Sequence, residues 1–147
     1  MKVLLIHPPV TLFPDEDLVV SPPLGIAHIA AVLEKERIDV KVFDALASGW
    51  HNSETLKFGS KEVIRFGATW DNIKNEMSRY NPDIVGISCL FTSQSGNAHY
   101  VAKIVKEVNP DVFTVFGGAH PSALPRVILD DHNIDFVVLG EGELTML

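Results

Sequence analysis

Short apolar runs alternate along this chain with longer stretches whose apolar residues recur every three or four positions. Val3 to Ile6, Val40 to Phe43, Ile84 to Ile87, Val112 to Phe116 and Phe136 to Leu139 are of strand length and nearly continuous, the pattern of parallel strands covered on both faces. Between them, Ile26, Ile29, Ala30 and Leu33 form a helical stripe that predicts a helix starting near Pro23. Trp70 to Tyr80 predicts another, with Thr69 as N-cap and Asp71 in the first turn, where a carboxylate suits the helix dipole. Ala98, Val101, Ile104, Val105 and Val108 make a third amphipathic face, and Leu124 to Leu129 the core of a further helix. Asn81-Pro82-Asp83 and Asn109-Pro110-Asp111 each end a helix before a strand, because proline disfavours helix for the residue before it.

Right-handed crossovers arrange five such strands most simply as an open parallel sheet of order 2-1-3-4-5 between layers of helices. The expected class is three-layer α/β, flavodoxin-like or Rossmann-like. Ligands in such sheets bind at the carboxyl edge, near the switch point between the first and third strands. Loops on that edge begin at His7, Asp44, Ser88, Gly117 and Gly140. Ala45 to Ala68, with Gly49, Gly59, Gly67 and scattered charge, shows little periodicity and reads as an irregular insertion, either a functional loop or partner-facing surface. Residues 1–147 amount to one domain carrying that insertion.

Composition narrows the partners. Nineteen acidic residues against twelve Lys and Arg give a net charge of −7, which leaves no basic excess for phosphate backbones, so no nucleic acid is expected. No stretch approaches the roughly 18 apolar residues of a membrane span, and Pro8-Pro9 ends the first apolar run too early for a signal peptide. One cysteine excludes an internal disulfide and fits a reducing cytoplasm.

Two strand ends carry the candidate chemistry. Ser88-Cys89-Leu90 closes the third strand and Gly117-Gly118 the fourth, so a small hydroxyl and a step without side chains stand side by side at the ligand edge, leaving a slot for a flat or elongated ligand tail. Ordinary strand-end turn chemistry is the plainer reading of either element alone. Together, Ser88, Leu90, Gly117 and Gly118 resemble cobalamin-binding domains of the methionine-synthase type, which carry Asp-x-His-x-x-Gly after the first strand, Ser-x-Leu after the third and Gly-Gly after the fourth. The resemblance implies that Ser88 hydrogen-bonds the dimethylbenzimidazole tail and that Gly117-Gly118 opens the slot for it. The first motif departs: with Gly25 in the place of its glycine, Pro22 stands at the cobalt-ligating histidine and Val20 at its aspartate. A bound cobalamin is therefore expected base-off, without a histidine ligand.

His7-Pro8-Pro9, Pro22-Pro23-Leu24-Gly25, Gly117-Gly118-Ala119-His120-Pro121 and Gly140-Glu141-Gly142-Glu143, in that order, resemble the amino-terminal domain of cobalamin-dependent radical S-adenosylmethionine enzymes. That resemblance implies a longer parent, most simply a methyltransferase, whose C-terminal barrel binds a [4Fe-4S] cluster and S-adenosylmethionine. For this chain it implies a cofactor site of Pro9, Leu24, Gly25, Ser88, Leu90, Thr92, Gly117, Gly118, His120, Gly140 and Glu141, with no catalytic residue and no protein ligand to metal.

Other residues admit plainer roles. His120 reads equally as a contact to a corrin amide or phosphate and as a capping histidine, and His7 as a ligand-edge or a packing residue. His28 reads as structural, and His51, His99 and His132 as solvated. Cys89 should point away from the slot as a buried thiol. Glu141 and Glu143 suit a helix cap or an interdomain contact better than an acid-base pair. Trp50 and Trp70 are core plugs or interface anchors. The competing class is a flavodoxin-like regulatory or interaction domain without cobalamin, but the acidic pair of a receiver domain and the Thr/Ser/Gly loop of a flavin site are both absent after the first strand.

Overall fold

The computed structural model describes residues 1–147. Its elements in chain order are β1 (Lys2–His7), β2 (Val10–Leu12), α1 (Leu24–Lys35), β3 (Asp39–Asp44), α2 (Ala45–Ser48), β4 (Ser53–Phe58), β5 (Lys61–Phe66), α3 (Trp70–Tyr80), β6 (Ile84–Ser88), α4 (Ser95–Val108), β7 (Phe113–Gly117), α5 (Ala119–Ala123), α6 (Pro125–Leu129) and β8 (Phe136–Val137). The main sheet runs β3-β1-β6-β7-β8 with every pair parallel. Numbered by the five expected strands, that is 2-1-3-4-5.

Alternation of side chains across the sheet divides the core in two. Leu4, Ile6, Val85, Ile87 and Phe116 face α3 and α4, packing on Ile73, Met77, Val101, Ile104 and Val105. Val3 and Leu5 face the other way, onto Ile26, Ala30 and Leu33 of α1. α1 leaves the amino ends of β7 and β8 uncovered on that second face, so Phe113 and Phe136, ring centroids 5.7 Å apart, stay half exposed there. Local sequence fixes the helix ends. The Thr69 hydroxyl accepts from the Asn72 N–H while the Asn72 side-chain oxygen accepts from the Thr69 N–H, a reciprocal cap that starts α3.

The 45–68 segment corrects the expectation of an irregular insertion. After the single turn of α2, β4 and β5 form an antiparallel hairpin, and β5 also pairs with β2 to complete a separate three-stranded sheet, β2-β5-β4. Phe58 opposes Lys61 across a two-residue loop whose Gly59 lies at φ +63°, the conformation a tight hairpin turn demands. Arg65 ties the hairpin down. Only 6% exposed, it donates to Glu54 Oε2 at 2.6 Å and to the Ala68 carbonyl at 3.2 Å, and its guanidinium lies 4.2 Å from the Trp70 ring centroid. Trp70 thereby serves as a core plug, whereas Trp50 is half exposed against the His51 ring.

Candidate functional site

Ser88 and Gly117 form the last register pair between β6 and β7. Past them the ladder is prolonged by single bonds, the Cys89 N–H to the Gly117 carbonyl at 2.9 Å and the His120 N–H to the Cys89 carbonyl at 3.3 Å. Gly118 sits in this seam at φ +119°, where a Cβ would stand 2.5 Å from the Cys89 carbonyl oxygen. Only glycine tolerates that position. At Gly117, by contrast, a Cβ would project into open space.

That space is a cavity of about 420 Å³ on the α1 face, within the size range of small-molecule sites. Its floor is one register row, Leu5, Gly86 and Val115, with Val138 beside it just past β8. Gly25, Ile26 and Ile29 of α1 form one wall, the Gly140–Glu143 turn with Met146 the opposite one, and Ser88, Leu90, Gly117 and Gly118 the mouth. The cavity opens at the carboxyl edge and reaches across β6 and β7 to the segment after β8, with Leu5 its only contribution from β1. The lining is apolar below and carries the Ser88 hydroxyl at the carboxyl edge, a surface suited to a flat apolar group with a hydrogen-bonding end.

The cavity gathers Gly25, Ser88, Leu90, Gly117, Gly118, Gly140 and Glu141 from the expected set; Pro9, Leu24, Thr92 and His120 lie outside its lining. Pro9 is buried, its carbonyl accepting from the Asn97 amide at 2.9 Å, and Leu24 is exposed at the start of α1. Thr92 Oγ1 and His120 Nδ1 hydrogen-bond each other at 3.0 Å, with His120 only 6% exposed. Cys89 turns into the opposite core, where burial pushes its thiol up to about 11. The floor residues escaped the sequence reading, although Gly86 inside an apolar run was a signal of close approach: a Cβ there would lie 2.6 Å from Leu5 Cδ2. His99 is not merely solvated. It bonds Asp131 through Nδ1 at 2.6 Å and leans on Phe116.

A polar pair also escaped it. His7 and Asp44 are register partners at the carboxyl ends of β1 and β3, with His7 Nδ1 3.0 Å from Asp44 Oδ1. Asp44 also caps α2 by accepting from the Ala47 N–H. Burial alone would raise its carboxyl, but the His7 hydrogen bond and the Ala47 N–H hold it below the ordinary range.

The family model described as B12 binding domain matches residues 18–147. The chain belongs to the B12-binding domain family. This B12-binding domain is 42% identical over 99% of its length to a cytidylyl-2-hydroxyethylphosphonate methyltransferase of Streptomyces wedmorensis, spanning 27% of that protein. It is 37% identical to an uncharacterized methyltransferase of Pyrococcus horikoshii and 32% identical to an anaerobic magnesium-protoporphyrin IX monomethyl ester cyclase of Rubrivivax gelatinosus, over 99% and 100% of the chain, spanning 28% and 23% of those proteins. The B12-binding domain thus spans about a quarter of the curated relatives it matches.

Proposed function

We infer that this domain holds cobalamin with the dimethylbenzimidazole tail in the cavity between α1 and the Gly140–Met146 turn, and presents the corrin to a second domain of the same parent chain. The observation that carries this reading is the Ser88–Gly117 pair opening onto the cavity, with a hydroxyl beside a position whose missing Cβ leaves the mouth clear. The residues fit the group: Leu5, Val115 and Val138 pack against a flat aromatic, Ser88 bonds its polar end, and Gly117 admits it. Cobalamin supplies a cobalt that can carry a methyl group. The chain's own residues bind and orient it, and keep water from the tail.

Pro22 occupies the place of the histidine that would ligate cobalt and Val20 that of the aspartate that would orient it, so we assign a base-off corrinoid without a histidine ligand. The parent is a cytoplasmic radical S-adenosylmethionine enzyme, most simply a methyltransferase, with the [4Fe-4S] cluster and S-adenosylmethionine on a following domain. Exposed Leu90, Phe91, Leu139 and Leu144, on the loops after β6 and β8, and Leu24 at the start of α1 support that arrangement, because a corrin and a second domain at the carboxyl edge would cover them.

Titration of the full-length parent with hydroxocobalamin, followed by visible absorption, tests the reading. Saturable binding is expected, and no binding would return the chain to the class of interaction domains without cofactor. Electron paramagnetic resonance of the Co(II) state should give a base-off spectrum without nitrogen splitting. Splitting that vanishes on replacing His7, His28 or His120 would name a histidine ligand and refute that assignment.

A further inference from the structure

The His7–Asp44 pair lies at the same carboxyl edge as the tail slot. Leu5 and Gly86 are register partners on the α1 face, so His7, two residues on from Leu5, stands beside Ser88 on that face, and Ser88 pairs with Gly117. Asp44–His7 and Ser88–Gly117 are thus register pairs at the carboxyl ends of β3, β1, β6 and β7, each one residue past the last β1–β6 pair, Ile6–Ile87. At the usual strand spacing, His7 is two strands, roughly 10 Å, from Gly117. An ionised carboxylate only accepts hydrogen bonds, so His7 Nδ1 keeps the proton and donates it in a hydrogen bond to Asp44 Oδ1. In the neutral ring the Nε2 atom is then a bare acceptor, and no protein group hydrogen-bonds it while the side chain keeps 21% of its surface open.

We propose that Asp44 locks His7 in the Nδ1–H tautomer so that Nε2 accepts a hydrogen bond from a donor on the bound corrinoid, a primary amide of the ring's rim or a water on the cobalt's lower face. His7 is then a binding residue beyond the tail slot, and Asp44 a positioning residue that acts through it. The proposal rests on the cobalamin reading, and adds a contact to the side of the site that the tail does not reach.

The test is a double-mutant cycle read by hydroxocobalamin affinity in the full-length parent. His7→Ala should weaken binding roughly tenfold, the worth of one hydrogen bond. Asp44→Ser keeps a good cap for α2 but is too short to reach His7, and should weaken binding several-fold. The double variant should be no weaker than His7→Ala alone, because Asp44 contributes only through the imidazole. In ¹⁵N-histidine-labelled protein, the His7 ring should show a single Nδ1–H tautomer that becomes a mixture in Asp44→Ser. If the cobalt's water is the donor, His7→Ala also shifts the pH at which the bound aquo form deprotonates; an amide donor leaves that pH unchanged.

Wild-type affinity in both single variants, additive losses in the double variant, or an Nε2–H tautomer in the wild type each overturns the proposal while the cobalamin reading stands. Absence of binding by the wild-type protein overturns both. Circular dichroism confirms that the variants are folded, and His7→Gln, which keeps a side-chain acceptor, should recover part of the affinity.

Discussion

Adjacent glycines at the end of β7 do different work. Gly117 leaves a mouth open, whereas Gly118 lets backbone pass backbone at a φ that side chains avoid. Gly118→Val is therefore expected to destabilise the fold by about 2–4 kcal/mol, through strain and a clash with the Cys89 carbonyl, as thermal unfolding will show. Gly117→Val should leave the melting temperature within a few degrees of wild type yet abolish hydroxocobalamin binding. Sequence alone gives the two glycines one shared role in opening the slot, since a string of letters carries no φ; their surroundings separate them, Gly118 crowded against backbone and Gly117 facing open space. Cys89 gives a second residue-scale test. With its thiol raised to about 11 and 2% exposed, it should resist iodoacetamide at pH 8 in native protein and react rapidly once unfolded.

At the scale of elements, apolar periodicity located α1, α3 and all five strands of the main sheet, because each buries an apolar face. The hairpin was illegible for the same reason in reverse. Its buried position on β5 is Arg65, which no hydrophobic pattern marks, and its partner β2 is only three residues long. The candidate site divides likewise: Ser88 and Gly117 were legible as strand ends, while Asp44 and His7 meet across 37 residues of chain through a register that appears only once the sheet is built. Arg65→Ala should cost about 1–3 kcal/mol by removing the Glu54, Ala68 and Trp70 contacts together. Hydrogen exchange should then speed up in β4 and β5 and stay unchanged in β1, β6 and β7. A uniform rise would mean that the hairpin and the main sheet open as one unit.

For the whole molecule, the carboxylates that join separate parts of the fold set its response to acid. Burial opposes ionisation at Glu76, Asp131 and Asp135, and is outweighed by Lys41 and Arg79 at Glu76, by the Asn133 N–H and His99 at Asp131, and by Lys106 and the Thr114 N–H at Asp135. Their folded pKa values therefore lie below the unfolded ones. The stabilisation is complete above the unfolded values, near 4, and is lost as pH falls through the folded ones. The melting temperature should be flat from about pH 7 to 5 and drop below about pH 4. The cavity, finally, has one stiff side and one loose one. Main-chain bonds through Cys89 clamp β6 to β7 and the loop after it, whereas α1 starts after Pro23 with no side-chain cap and the 140–146 turn is held by the Ser122 hydroxyl on the Gly140 N–H and its own Met146 to Gly142 bond. For the proposed tail, entry is therefore expected on the α1 side, by the parting of α1 from the 140–146 turn, with the β6–β7 seam as the fixed jaw.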